Sequence, residues 1–240
     1  MVDLLRESLS GKLAVVNGAG AGQGMSTIRA FINCGSKVAI ISRSGETYGL
    51  TETSQIKSFK CDSSDPAQIK ETAKKIASEM GEPDFLINNI GKWAGGDELE
   101  DEEAFQEMLK FNVASQYNAI YAFLPYMKKR GGSIVNIGAS EALRGASSVS
   151  YSTSKYAIEE MTKVMALRLK KYNIRVNSVK PGSVIKEDTF FNVFPFKFAE
   201  ISEDKVLQPL EVAYISLFLC SKLSQSITGQ SITADRGTSL

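Results

Sequence analysis

Lys12-Leu-Ala-Val-Val-Asn17-Gly18-Ala-Gly20-Ala-Gly22-Gln-Gly24 decides how this chain folds. Its first half is a short β-branched run, apolar at successive positions as a strand buried on both faces should be. Glycines follow, and Met25 to Asn33 then reads as a helix closed by Gly35. Strand, glycine turn and helix N-terminus in that order suit a phosphate. Glycines let the backbone approach it, and the helix end offers N–H groups and a positive dipole. The spacing is not G-x-G-x-x-G, because Gln23 stands where a third glycine would; it is G-x-x-x-G-x-G through Gly18, Gly22 and Gly24. The alternative is a flexible glycine loop with no ligand.

Working outward, Lys37 to Ser42 is a second strand, and the residues at its end select the nucleotide. They are Ser42-Arg43-Ser44, with no carboxylate before Glu46. A guanidinium beside two hydroxyls suits a 2′-phosphate better than a ribose diol, so NADP(H) is favoured over NAD(H). Otherwise Arg43 is a solvated charge at a strand end. Gly45 to Gln55 is short for a covering helix and carries Gly49, so a loop or one or two turns is expected. Ile56 to Cys61 is a third strand; Asp62 after it either meets an adenine amine or caps the helix beginning near Pro66. Asp84 to Asn88 is a fourth, followed by Asn89-Ile90-Gly91, whose amides either lock the sheet or face a ligand. Helical patterns run from Asp101 to Arg130, interrupted around Asn112 and Pro125. Ser133 to Ile137, Arg175 to Lys180 (stopped by Pro181-Gly182) and Ser231 to Ala234 complete seven strands. Ile158, Met161, Met165 and Leu169 mark the core face of a helix from Tyr156 to Tyr172, and Glu211 to Leu223 is another helix. The expectation is an α/β fold, a single domain over residues 1–240, with a doubly wound (Rossmann-type) parallel seven-stranded sheet and helices on both faces. Ligands should bind at the carboxyl ends of its strands.

Composition narrows the function. The formal net charge is +1 without a basic block, which argues against nucleic acid as a partner. No run of about 18 apolar residues occurs, so no membrane span is expected, and the charged N-terminal stretch Met1 to Ser8 does not read as a signal peptide. Cys34, Cys61 and Cys220 offer neither a metal pattern nor a disulfide framework. A soluble cytoplasmic protein is expected. The chain has no histidine, so acid–base chemistry falls to Tyr, Lys, Asp, Glu or Cys.

Tyr151-Ser-Thr-Ser-Lys155 supplies a pair for that chemistry. Positions four apart share a helix face, and an ammonium near a phenol favours the phenolate. Such a pair alone is more often a plain helix surface. Together, however, Gly18-x-x-x-Gly22-x-Gly24, Asn88-Asn89-x-Gly91, Tyr151-x-x-x-Lys155 and Pro181-Gly182 resemble the short-chain dehydrogenase/reductase family, over about residues 10 to 240. The resemblance implies hydride transfer between a nicotinamide dinucleotide and a carbonyl or alcohol. It also implies a homodimer or homotetramer built on the helices near residues 102–130 and 152–172.

By that resemblance Tyr151 is the proton donor, Lys155 holds the nicotinamide ribose and lowers the tyrosine pKa, and Asn112 orders a water in the relay. Gly18, Gly20, Gly22, Gln23 and Gly24 cradle the pyrophosphate. Asp62 meets the adenine, Asn88 lies along the adenosine side, Gly91, Pro181 and Gly182 belong to the cofactor-binding set, and Ile185 contacts the nicotinamide carboxamide. Several departures stand out. Asn17 replaces a threonine, Ile90 a small alanine, and Asp235-Arg236-Gly237 an acid followed by two glycines. The family's catalytic serine falls at Gly138; the nearest hydroxyl is Ser140, with Ser147 and Ser148 as alternatives. Residues 186–206, rich in phenylalanine, read as an apolar lid over substrate, or else as interface or core. An apolar or aromatic carbonyl follows from that lid. A 3-oxoacyl thioester reductase, which would need basic residues such as Lys186 and Lys197 at its mouth, and a non-catalytic nucleotide-binding or assembly protein are the alternatives.

Overall fold

The computed structural model describes residues 2–96, 99–185 and 205–240. Along the chain it runs α1 (Val2–Leu9), β1 (Leu13–Asn17), α2 (Gln23–Asn33), β2 (Lys37–Ser42), β3 (Ile56–Lys60), α3 (Pro66–Met80) and β4 (Phe85–Asn88). Next come α4 (Glu102–Leu109), a π-helical turn (Lys110–Ala114), α5 (Ser115–Met127), β5 (Gly132–Ile137), α6 (Glu141–Gly145) and α7 (Val149–Leu169). β6 (Ile174–Pro181), α8 (Pro209–Cys220) and β7 (Ser231–Ala234) finish it. The seven strands form one sheet in the order β3-β2-β1-β4-β5-β6-β7, every pairing parallel. Reversal of strand order between β1 and β4 opens a crevice at their carboxyl ends.

Successive residues of a strand point to opposite faces, so each inner strand feeds two cores. Ala14, Val16, Val38, Ile40 and Ile87 pack on one face with residues of α1, α2 and α8, among them Leu9, Phe31 and Leu217. Leu13, Val15, Ala39, Ile41 and Leu86 pack on the other with residues of α3, α5 and α7, among them Ile76, Phe123 and Leu169. This is why β1 reads as an unbroken apolar run. The edge strands β3 and β7 are less buried.

The strands and the loop at 45–55 follow the sequence reading, while some helices differ in detail. α2 begins at Gln23 instead of Met25, with Gly22 as its N-cap. α1 gives no sequence signal long enough to stand out, yet Leu5 and Leu9 are buried. The interruption near Asn112 is the π-helical turn. Pro125 interrupts nothing: it sits inside α5, which continues to Met127. On α7 the fully buried stripe is Ile158, Thr162, Ala166 and Leu169. Met161 and Met165 are only half-buried, because the helix is rotated so that Thr162 can reach the sheet. Arg236, where the family carries glycine, has a left-handed φ of 54° and is held by Glu211 at 2.7 Å. The lid expected over 186–206 lies, apart from residues 205 and 206, outside the described residues.

A chain of buried side chains crosses the sheet. Ser63 Oγ donates to Asn17 Oδ1 (2.6 Å) and Asn17 Nδ2 to Asn88 Oδ1 (3.1 Å). Asn88 Nδ2 then donates to Asn136 Oδ1 (2.9 Å), and Asn136 Nδ2 to Thr162 Oγ1 on α7 (3.0 Å). The three asparagines are register partners on β1, β4 and β5. Their amides form a ladder with donors and acceptors matched in line, which lowers the cost of burying them. Asn88→Ala leaves Asn17 and Asn136 each lacking a partner. It should destabilise the protein by about 2–4 kcal/mol in chemical denaturation, from unmet polar groups plus a cavity. A loss below about 0.5 kcal/mol, the size of an ordinary surface change, would show that the ladder does not lock the sheet.

Candidate active site

A cavity of about 1130 Å³ opens at the carboxyl ends of the strands. Its floor at one end is the glycine turn. Gly18 has φ +98°, and a Cβ there would come 2.6 Å from Ile90 N, so the turn admits only glycine. A Cβ on Gly24 would reach Gly18 O at 2.7 Å, whereas Gly20 faces open space. The first turn of α2 carries no acid, leaving its N-terminal dipole uncompensated toward the cavity. Asn89 ties the turn down: it accepts from Gln23 Nε2 (2.8 Å) and donates to Gly18 O (2.8 Å). Backbone that approaches this closely, ending on a free helix N-terminus, fits a pyrophosphate.

Ser42, Arg43 and Ser44 line the same cavity. Ser42 Oγ accepts Gly45 N–H (3.0 Å) and lies 3.3 Å from Ser44 Oγ, while the exposed Arg43 guanidinium stands 5.1 Å above the Phe111 ring. A cation and two hydroxyls at this end of the cavity are thus available to an anion. Tyr48 also lines this end, at φ +50°, its hydroxyl donating to Ala19 O at 2.9 Å. Nothing local in the sequence marks Tyr48, since its role arises from a contact across 29 residues.

At the other end the cavity meets α7. Tyr151 is 5% exposed and packs with Met108 and Ala139. Burial pushes its pKa up to about 12, with the Arg144 guanidinium pulling the other way. Lys155 Nζ donates to Ile137 O (3.1 Å) and lies 5.7 Å from the Tyr151 ring centroid. Burial brings the Lys155 pKa down to about 8. The net effect on the phenol is therefore opposite to the lowering expected from the ammonium. Gly91 makes room for Lys155: a Cβ there would sit 2.9 Å from Nζ. Asn112 is fully buried beside them, in the π turn. It accepts Lys92 N–H (2.7 Å) and donates to Lys92 O (3.0 Å) and Ser154 Oγ (2.9 Å).

Pro181, Gly182, Gly91 and the glycines other than Gly22 reach the cavity wall as expected. Other expectations need correction. Asn88 is wholly buried in the amide ladder and off the wall; its neighbour Asn89 is on it. Asp62 is off the wall and does not cap α3: its carboxylate accepts Ser64 N–H (2.9 Å), and Asp65 is the cap. Ile185 is replaced on the wall by Val184, and its N–H is engaged by Leu207 O (3.0 Å). Ser140 is fully buried and off the wall, its oxygen capping α6 through Leu143 N–H (3.4 Å). Ser147 bonds Trp93 and Leu143, and Ser148 caps α7 through Tyr151 N–H. Gly138 is on the wall, with Lys180 in its vicinity. A Cβ at 138 would stand 3.4 Å from Lys180 Cγ and 3.2 Å from Ser178 Oγ, so the lysine stem runs beside the place of a serine side chain. Lys180 continues to Glu141 and Glu159, which also pair with Arg144.

A family model described as Enoyl-(Acyl carrier protein) reductase matches residues 18–239. The 3-oxoacyl-[acyl-carrier-protein] reductase FabG of Thermotoga maritima is 32% identical over 245 residues, spanning 95% of this chain and 98% of that one. The 7alpha-hydroxysteroid dehydrogenase of Escherichia coli K12 is 30% identical over 248 residues, spanning 95% and 94%. Among solved structures, a short-chain dehydrogenase/reductase from Serratia marcescens BCRC 10948 superposes with a TM-score of 0.78 at 27% identity, covering 97% of this chain and 100% of that one. The ligand-free aldohexose dehydrogenase of Thermoplasma acidophilum gives 0.79 at 26%, covering 95% and 94%.

Burial of Lys155 gives a pH-dependent stability. Unfolded, the lysine titrates near 10.5; folded, near 8. Below pH 8 the folded state holds an ammonium that water would solvate better, a cost that fades as pH rises from 8 toward 10.5. Lys155→Met should therefore stabilise the ligand-free protein at pH 7 by about 2 kcal/mol in denaturant unfolding, the advantage shrinking by pH 10. A destabilised variant at pH 7 would show that the ammonium is held favourably after all.

Proposed function

The chain belongs to the short-chain dehydrogenase/reductase family, and from that premise we propose that it transfers a hydride between NADP(H) and a small or medium carbonyl or alcohol compound. One observation carries the reading: Tyr151 and Lys155 share a single cavity with the glycine turn and Arg43. Bound there, the nicotinamide supplies or accepts the hydride. The glycine turn and the N-terminus of α2 hold the pyrophosphate, and Arg43 with Ser42 and Ser44 holds a 2′-phosphate. Lys155 holds the nicotinamide ribose. Tyr151 is a protonated acid throughout neutral pH, the form that reduction needs, and gives its proton to the carbonyl oxygen. With Ser140 fully buried and off the cavity wall, we read one donor to the developing oxyanion as absent, a loss worth about 10²–10³ in turnover.

A 3-oxoacyl thioester reductase is the second reading, supported by the name of the Thermotoga relative and by Lys92, exposed on the cavity wall. A non-catalytic nucleotide-binding protein is the third, supported by the burial of Ser140 off the cavity wall. Tyr151→Phe should lower carbonyl reduction about 10²–10⁴-fold while NADPH still binds, as nicotinamide fluorescence reports. Unchanged turnover would place the acid elsewhere. Binding of NADPH by the wild type without reduction of any ketone, aldehyde or 3-oxoacyl thioester would favour the third reading. NADH binding as tight as NADPH would remove the role of Arg43.

We also read the chain as a single-domain cytoplasmic homodimer or homotetramer. Among the described residues no helix is long and apolar enough to cross a membrane. Tyr117 and Tyr121 on α5 stack on one another while 49% and 68% exposed, and Tyr156 and Leu167 on α7 are 65% and 66% exposed. Aromatic and aliphatic side chains left on two long helices suit a second copy. Sedimentation should give an oligomer that Tyr121→Glu with Leu167→Glu dissociates; a monomeric wild type would exclude it.

A further inference from the structure

Trp93, the sole tryptophan of the chain, stands 58% exposed on the cavity wall shared with Tyr151, Leu143 and Val184. An indole on an exposed loop is ordinarily free to move, but this one is held on several sides. Its Nε1–H donates to Ser147 Oγ at 2.9 Å, and that hydroxyl donates onward to Leu143 O at 2.6 Å. Against the ring lies Gly95, where a Cβ would come 2.8 Å from indole Cη2, so a side chain at 95 would push the ring from its present place. The loop itself is pinned on both sides of the tryptophan. Asn112 bonds both the N–H and the carbonyl of Lys92, and Ser148 N–H donates to Ala94 O at 3.0 Å.

A large apolar ring, tethered by its one polar atom and left open over the cavity, is a preorganised surface. A ligand stacking on it loses no loop entropy and gains apolar contact. Leu143 and Val184 extend that apolar character around it. We propose that Trp93 is a specificity-determining residue, a fixed aromatic platform that selects planar aromatic or fused-ring carbonyl compounds over short aliphatic and sugar carbonyls. The assignment rests on the reductase reading of the same site.

Because Trp93 is the only tryptophan, its emission reports this position alone. Indole emission overlaps the absorption of reduced nicotinamide, so exciting Trp93 in the NADPH complex should sensitise nicotinamide emission. A fused-ring ketone should quench the indole in the protein with or without NADPH. Trp93→Leu should lower kcat/KM for that ketone about tenfold, through KM, and should lower it less for a short aliphatic ketone. Ser147→Ala, which frees the indole without removing it, should produce a smaller loss of the same kind. Equal losses for both ketones, indole emission indifferent to the fused-ring ketone, or an aldopyranose turned over better than any ring ketone would overturn the assignment. Failure of both NADPH and NADH to bind, seen by direct nicotinamide excitation, or absence of any carbonyl turnover would overturn the reductase reading and this assignment with it. Ketones reduced without discrimination by Trp93 would overturn this assignment alone.

Discussion

The amide ladder from Ser63 through Asn17, Asn88 and Asn136 to Thr162 sets the geometry on which the rest depends. Each asparagine of the ladder stands just before a residue that lines the cavity. Asn17 precedes the glycine turn, Asn88 precedes Asn89, and Asn136 precedes Ile137, whose carbonyl receives Lys155. The last rung, Thr162, lies about two helical turns beyond Lys155 on α7. A slip of one residue between β1 and β4 or between β4 and β5 would break an amide pair in a place that water cannot repair. The ladder therefore fixes how far the glycine turn lies from Tyr151.

What could be read from sequence was what periodicity and glycine chemistry record. β1, the turn, α2 and the parallel sheet follow from apolar runs and from residues that a Cβ would exclude. Tyr151, Lys155 and Arg43 were legible because a motif or a strand end fixes their place. Which of Asn88 and Asn89 faces the cavity was not, because it turns on where the pleat ends and the loop begins. Ser140 was ambiguous for a different reason: a serine followed by Glu141 competes for the helix cap as readily as for a substrate. Met161 and Met165 share a helical period with Ile158, but Thr162 sets the rotation by reaching Asn136. Tyr48 and Trp93 depend on contacts 29 and 54 residues away, which no local pattern carries.

Burial does the electrostatic work at the Tyr151 end of the cavity. It holds Tyr151 protonated and makes the Lys155 ammonium costly, so the charged form of each group is disfavoured relative to water. Beneath them Lys180, Glu141, Glu159 and Arg144 form a second charged group, neutral in sum, that docks the short α6 against β6 and α7. The stem of Lys180 passes beside Gly138, so that lysine and the glycine read as one exchange of side-chain volume between neighbouring strands.

The π-helical turn at Lys110–Ala114 has a consequence for how this chain can change. A π turn holds one residue more than an α turn, so the faces of α4 and α5 are offset by about 100° from a continuous helix. On one side of the offset Met108 packs beside Tyr151; on the other Ile120 and Phe123 pack beneath the sheet. A single deletion there would restore regular helix and turn one of those faces into solvent. Between Glu102 and Met127 the length of the chain is thus as constrained as its composition, and variation should come as substitution, never as insertion or loss.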